Sequence, residues 1–304
     1  MMKQPIIAIR NLSKKYKKSF AIEDINLAIQ KGDFYGFVGP NGAGKSTTMR
    51  ILLGLIQATA GEAEIFNETV STQNQAILSR IGYIPSEVFF YEYLTVQKMI
   101  DFSARLRGNG SDIKAESQRL MQKFNVDSHK KIKELSFGNR RKVSIICALH
   151  HRPELYMFDE PTSGLDPLMQ SLFWEEMQER HNNGATIFVS SHNLTEVQRY
   201  CTKAAIIKDG HIITSGPMDE LRKTAVKRVV VQGLTAIPEL ENYMKDVIRT
   251  KDNISFLYQD TLGNLLTTLH QYKDTMTDLS IIEPDLDEVF RHFYLGTTMS
   301  GRDE

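Results

Sequence analysis

The sequence predicts an α/β protein: a parallel sheet covered by helices on both faces, followed by a small α+β appendage. Three observations carry this. Residues 34–38 read Phe-Tyr-Gly-Phe-Val, the near-continuous apolar run of a strand buried on both faces, and they lead into a glycine-rich turn and a helical pattern. Two further apolar runs, 155–158 and 186–190, alternate with a helical stretch at 168–181. After about Leu221 the pattern changes to short strands with few helical segments.

Taken in order, residues 6–9 and 25–29 read as strands, and 34–38 as the first strand of the parallel sheet. Met49, Leu52, Leu53 and Ile56 then recur at helical spacing. Residues 94–124 read as mostly helical. Residues 204–208 and 211–214 flank Asp209-Gly210, the signature of a two-residue hairpin turn. In the appendage, 228–231, 254–258 and 279–282 read as extended, and 262–272 and 286–294 as helical. The expected division is 1–221, with a helical part at about 88–150, and 222–304.

A chain of 304 residues is long enough for one large domain or for one large and one small. The composition, 41% hydrophobic and 24% charged, is that of a globular protein. Lys+Arg and Asp+Glu balance at 37 each, which argues against nucleic acid as the main partner. The two cysteines, Cys147 and Cys201, fall among residues read as helical; the expectation is a reducing cytoplasm and no disulfide framework. No run of about 18 apolar residues is present, and residues 1–10 lack the layout of a secretory leader. Service to a membrane would then mean docking on a separate membrane subunit.

The strongest chemical signal is Gly39-Pro40-Asn41-Gly42-Ala43-Gly44-Lys45-Ser46-Thr47, a complete Gly-x-x-x-x-Gly-Lys-Ser phosphate loop between a buried strand and an amphipathic helix. Glycines let the backbone wrap phosphate oxygens, and successive N–H groups and the helix N-terminus point at them. Lys45 supplies charge for the β- and γ-phosphates, and the Ser46 hydroxyl is a hard oxygen ligand for Mg²⁺. Downstream, Asp159-Glu160 ends an apolar run. Asp159 is the candidate for the Mg²⁺ shell and Glu160 for the general base on the attacking water.

Around these motifs the chain resembles the ATP-binding subunits of the ABC family. Leu135-Ser136-Phe137-Gly138-Asn139, followed by Arg140-Arg141-Lys142-Val143, is similar to the family signature and its helix. Pro161-Thr162-Ser163-Gly164-Leu165-Asp166-Pro167 resembles the loop that crosses to a partner cassette, and Ser190-Ser191-His192 resembles the switch histidine. Tyr16 stands where the family stacks an aromatic ring on adenine. The resemblance covers about residues 6–221 and implies a P-loop ATPase domain with an antiparallel β subdomain and a helical subdomain. It also implies Mg-ATP as ligand and a head-to-tail pair of cassettes, identical or different. In that pair Ser136, Gly138, Asn139 and Asp166 of one chain meet the ATP on the other. A transmembrane permease subunit is the further implied partner, with the protein peripheral on the inner face of the membrane.

Two departures stand out. Ser86, after Ile81-Gly82-Tyr83-Ile84-Pro85, occupies the place of a glutamine that normally reaches the metal or the water; a serine is shorter. Phe137 replaces a glycine of the signature, so its ring must point away from ATP. Phe89-Phe90-Tyr91-Glu92-Tyr93 reads either as core or as a groove for a helix of the permease. The lysines at 14, 15, 17 and 18 read as a solvated face, and His150-His151 lack a metal-ligand partner. The run Pro284-Asp285-Leu286-Asp287-Glu288-Val289-Phe290 looks like the tail of ABC-2 type exporters of peptides, drugs or lipids. Other readings fare worse. Ribosome-acting relatives carry two cassettes, DNA-repair relatives a long coiled coil, and a P-loop kinase or GTPase would have no signature loop.

Overall fold

A computed structural model describes residues 4–17, 19–71, 75–108, 110–222 and 227–282. The chain divides into two compact units, Met1–Ser215 and Gly216–Glu304. The first opens with a long hairpin, β1 (Pro5–Tyr16) against β2 (Ser19–Gln30). These strands extend well beyond the apolar cores at 6–9 and 25–29, because register shifts let the chain bend while pairing continues. Asn11 sits at one such shift with φ 49°, its amide donating to Asp24 Oδ1 at 2.6 Å. Asparagine tolerates that left-handed conformation because its side chain bonds locally.

β3 (Phe34–Val38) leads into α1 (Lys45–Leu52). The helix stops at Leu52, with Leu53 as its C-cap; Ile56 lies beyond it, although the apolar spacing carried the helical pattern that far. β4 (Ala60–Ile65) and β5 (Glu68–Thr69) complete an antiparallel sheet of order β2-β1-β4-β5. α2 (Gln75–Ser79) and β6 (Ile81–Ile84) follow. A helical layer comes next: α3 (Val96–Leu106), capped by the Thr95 hydroxyl, α4 (Ser111–Lys123) and α5 (Phe137–Leu149), capped by Ser136.

β7 (Leu155–Asp159), α6 (Pro167–Asn182), β8 (Thr186–Ser191), α7 (Leu194–Tyr200), β9 (Lys203–Lys208) and β10 (His211–Pro217) finish the six-stranded sheet, of order β10-β9-β3-β8-β7-β6. Every residue of β3, β7 and β8 is buried, as the apolar runs require of strands covered on both faces. β10 joins through a turn in which Asp209 and Gly210 both take positive φ, 47° and 85°. Parallel register pairs Val38 with Ser191 and Asp159 with Ser190. The carboxyl ends of β3, β7 and β8 are therefore level, and the loops that follow them meet at one edge of the sheet.

A buried ion network ties α4 to α6. Glu176 pairs with Arg119 at 2.5 Å, Lys123 at 2.6 Å and Arg180 at 2.8 Å; Glu116 pairs with Arg119 at 2.7 Å, Arg152 at 2.7 Å and Arg180 at 2.6 Å.

In the second unit, α8 (Met218–Arg222) precedes an antiparallel sheet of order β12-β13-β11-β14. Its strands are β11 (Lys227–Gln232), β12 (Met244–Arg249), β13 (Asn253–Tyr258) and β14 (Asp278–Ile282). α9 (Leu262–His270) sets Leu265 and Leu269 into a core with Val229, Val231, Ile254 and Phe256. β12 carries no strand signal in the sequence, because Met244, Val247 and Ile248 do not alternate and a register shift breaks its pairing. The helix expected at 286–294, the run 284–290 and Lys18 lie outside the described residues.

Both cysteines are free; Cys147 lies in α5 and Cys201 caps α7. Among the described residues, no helix is long and apolar enough to cross a membrane.

Candidate active site

The phosphate loop joins β3 to α1 and closes around a buried lysine. Lys45 Nζ donates to Gly39 O at 2.6 Å and to Pro40 O at 3.1 Å. Gly39 is required by space: a Cβ there would lie 2.3 Å from the Ile207 carbonyl oxygen. Gly44, the N-cap of α1, takes φ 109°, which a side chain would strain. Asn41 and Gly42 are exposed, Ala43 is buried, and Ser46 and Thr47 are half-buried in the first turn of α1.

The acid pair follows β7. Asp159 is fully buried. Its Oδ1 accepts from the Ser190 hydroxyl at 2.6 Å, while Oδ2 has no hydrogen-bond partner among the described residues. Glu160 takes φ 53°, a left-handed conformation that only surrounding structure can hold in a non-glycine residue. Its N–H donates to Ser190 Oγ at 3.1 Å and to Ser190 O at 3.3 Å. Its carboxylate faces two groups: Oε1 lies 3.2 Å from Lys45 Nζ and Oε2 lies 2.6 Å from His192 Nδ1. The first contact is an ion pair rather than a well-directed hydrogen bond, since Oε1 makes no bond of good geometry. Lys45 at the start of α1, Asp159 and Glu160 at the end of β7, and His192 just after β8 thus come together in one group.

The remaining predicted residues fall elsewhere in the unit. Ser136 Oγ accepts from the Asn139 N–H at 3.3 Å, so the signature serine caps its own helix. A Cβ on Gly138 would lie 2.7 Å from Gly164 O, which seats the start of α5 on the turn that follows Glu160. The Phe137 ring covers Gly164 and is still 56% exposed. Asp166 caps α6, accepting from the Met169 N–H at 3.0 Å. Tyr16 is half-exposed at the hairpin tip, with Lys14 Nζ 5.2 Å from its ring centre. Ser86 contributes a backbone contact: its carbonyl accepts from Arg141 at 3.3 Å. Phe89, Tyr91 and Tyr93 are exposed and are not core.

Two residues of this region were not singled out from sequence. Ser190 reads in the sequence only as the end of a strand and the neighbour of His192, yet its hydroxyl and carbonyl hold both acids. Arg141 belongs to Arg140-Arg141-Lys142-Val143, which the sequence marks only as the helix after the signature, and it is fully buried.

The donor set fits a divalent cation. A buried carboxylate oxygen without a partner, on Asp159, and the Ser46 hydroxyl are hard oxygen donors. No cluster of three or more His, Cys, Asp or Glu that could hold a metal occurs among the described residues.

Comparison with known proteins agrees with this geometry. The ABC transporter family model matches residues 22–163. The bacitracin transport ATP-binding protein BcrA of Bacillus licheniformis is 36% identical over 222 residues, covering 72% of each chain. A solved ATP-binding subunit of an ABC transporter superposes with a TM-score of 0.68 at 29% identity, covering 72% of this chain and 92% of its own. A dimeric ATP-binding cassette in a post-hydrolysis state, bound to ADP and Pi, superposes with a TM-score of 0.64 at 23% identity, covering 70% of this chain and 98% of its own, and shares the fold. The chain belongs to the ATP-binding subunits of ABC transporters, a family of ATP-hydrolysing P-loop NTPases.

Proposed function

We propose that this subunit hydrolyses Mg-ATP to power export of a peptide, drug or lipid through separate membrane subunits, with two cassettes closing head to tail on the nucleotide. The observation that supports it most is the Lys45–Glu160–His192 group beside the partnerless Asp159 oxygen. ATP phosphates would draw Lys45 Nζ away from Glu160, freeing Oε1 to accept a proton from the attacking water. His192, bonded through Nδ1 to Oε2, keeps the carboxylate oriented. Asp159 and Ser46 would hold Mg²⁺, which supplies charge neutralisation of the phosphates. Tyr16 offers its exposed ring to adenine.

In the paired arrangement, the α5 N-terminus with Ser136, Gly138 and Asn139 caps the γ-phosphate bound by the other chain. Asp166 lies on the loop facing that chain. The partner cassette is identical or different. Export rests on the resemblance to ABC-2 type exporters, and a drug or peptide cargo accords with the likeness to a bacitracin transport ATP-binding protein. Exposed Phe89, Tyr91 and Tyr93 offer apolar surface to a permease helix, which would hold the protein at the inner face of the membrane. The second unit supports pairing or regulation.

The test is steady-state turnover and nucleotide binding. Lys45→Ala should lose most of both. Glu160→Gln should bind ATP but turn it over at least about 10²-fold slower, as expected for a lost general base. Normal turnover in Glu160→Gln would overturn the assignment.

A further inference from the structure

Among the described residues, Arg141 is the largest fully buried side chain, at 0% exposure, and no carboxylate forms a salt bridge with it. Its guanidinium bonds only backbone carbonyls. Nε donates to Pro161 O at 3.1 Å; Nη1 donates to Pro85 O and to Ser86 O, the latter at 3.3 Å; Nη2 donates to Glu160 O and to Asp159 O, the latter at 3.3 Å. A guanidinium has five N–H groups in a fixed planar fork, and here all are used. The acceptors come from the loop after β6 and from the end of β7 with the turn that follows it, while the donor rides on α5, just over one turn from Ser136.

This arrangement is demanding. Burial pulls the guanidinium down from its usual range, and the nearby Asp159 and Glu160 charges oppose that shift. A buried cation satisfied only by carbonyl dipoles is stabilising only while every bond is made. What the bonds hold is specific: the Glu160 carbonyl, in a residue whose φ of 53° needs outside support. The N–H of the same residue is held from the other side by Ser190. Turning the Glu160 peptide would swing its carboxylate off Lys45 and His192.

We propose that Arg141 is the positioning residue for Glu160: its fork locks the Glu160 backbone in the left-handed conformation and makes that conformation depend on where α5 and the Ser86 loop sit. The link runs through Arg141 to the backbone of that loop. The proposal rests on the reading of Glu160 as general base.

The experiment is a double-mutant cycle of Arg141→Lys and Glu160→Gln in the full chain, with Arg141→Gln as a second replacement. KM and kcat for ATP are measured together with thermal unfolding. Lysine keeps the charge but loses the fork. The expected result is a KM for ATP within about threefold of wild type and a kcat at least about tenfold lower, the size of a misplaced general base. In the Glu160→Gln background, Arg141→Lys should lower kcat by less than about twofold, because the two act as one unit. A wild-type kcat in Arg141→Lys overturns the proposal, as does a loss that multiplies fully with Glu160→Gln. Failure of both Arg141 variants to fold also overturns it, in favour of a purely structural role. Normal turnover in Glu160→Gln alone would instead overturn the general base, a separate outcome of the same cycle.

Discussion

Replacing Glu176 by glutamine should destabilise the first unit sharply, although the residue lies in no motif. Glu176 is 1% exposed and meets Arg119, Lys123 and Arg180 at 2.5, 2.6 and 2.8 Å. Removing one partner of a buried ion group leaves uncompensated charge and costs about 3–5 kcal/mol. The lower end applies here. Glutamine keeps an oxygen acceptor, and Arg180 keeps Glu116 at 2.6 Å, the Tyr156 hydroxyl at 2.7 Å and Leu149 O at 3.1 Å. About 3 kcal/mol corresponds to a fall in Tm of roughly 6–12 °C for a unit of this size.

The pH dependence of the same variant has a definite sign. Burial alone would push the Glu176 carboxyl up, but hydrogen bonds from Arg119 and Lys123 and the charge of Arg180 outweigh it and hold the group at about 2. Glu116 is held at about 2 in the same way, with bonds from Arg119 and Arg152. A carboxylate with a depressed folded pKa stabilises above its unfolded value, about 4.3, and that stability is lost as pH falls through the folded value. The gap between wild type and Glu176→Gln should therefore be full at pH 7 and close between about pH 4.5 and 2. Urea unfolding across that range measures it. A loss under about 1 kcal/mol at pH 7 would show instead that the network is screened like a surface one.

Two further outcomes follow from the packing. Burial lowers His150 to about 4 and His151 to about 3, with His150 bonded to Ser103 at 3.3 Å and Ser117 at 3.0 Å. The unfolded chain takes up these protons first, so stability should fall as pH drops from about 6.5 towards 4, and His150→Gln should flatten that slope by up to one proton in urea titrations. Gly164→Ala should destabilise through both a φ of 76° and a Cβ 2.3 Å from the Phe137 ring. Adding Phe137→Ala should relieve the clash but leave about 1–2 kcal/mol of backbone strain by thermal unfolding; equal losses in the single and double variants would show that the ring is not the obstacle.

The strands of the parallel sheet were legible because burial on both faces writes a plain apolar run, as at 34–38 and 155–158. The phosphate loop and acids were legible because phosphate chemistry fixes residue type and spacing together. β12 was hidden for the opposite reason, since half-exposed strands of the second unit carry Lys245, Asp246 and Arg249 and break alternation. Within the site, every partner of Arg141 is a backbone carbonyl, and one partner of the Ser190 hydroxyl is the Glu160 N–H, groups that any residue possesses. A pattern of side chains cannot reveal partners that are backbone atoms. The exposure of Phe89, Tyr91 and Tyr93 was likewise undecided, because an aromatic run reads the same in a core and on a docking surface.

The most direct test of the paired, ATP-closed site is the mass of purified Glu160→Gln protein by light scattering, with and without Mg-ATP. Closure on ATP should appear as a nucleotide-dependent shift from monomer to dimer, with Ser86 and Phe137 tolerated. A monomer under both conditions, with ATP bound, would contradict self-pairing through the signature helix.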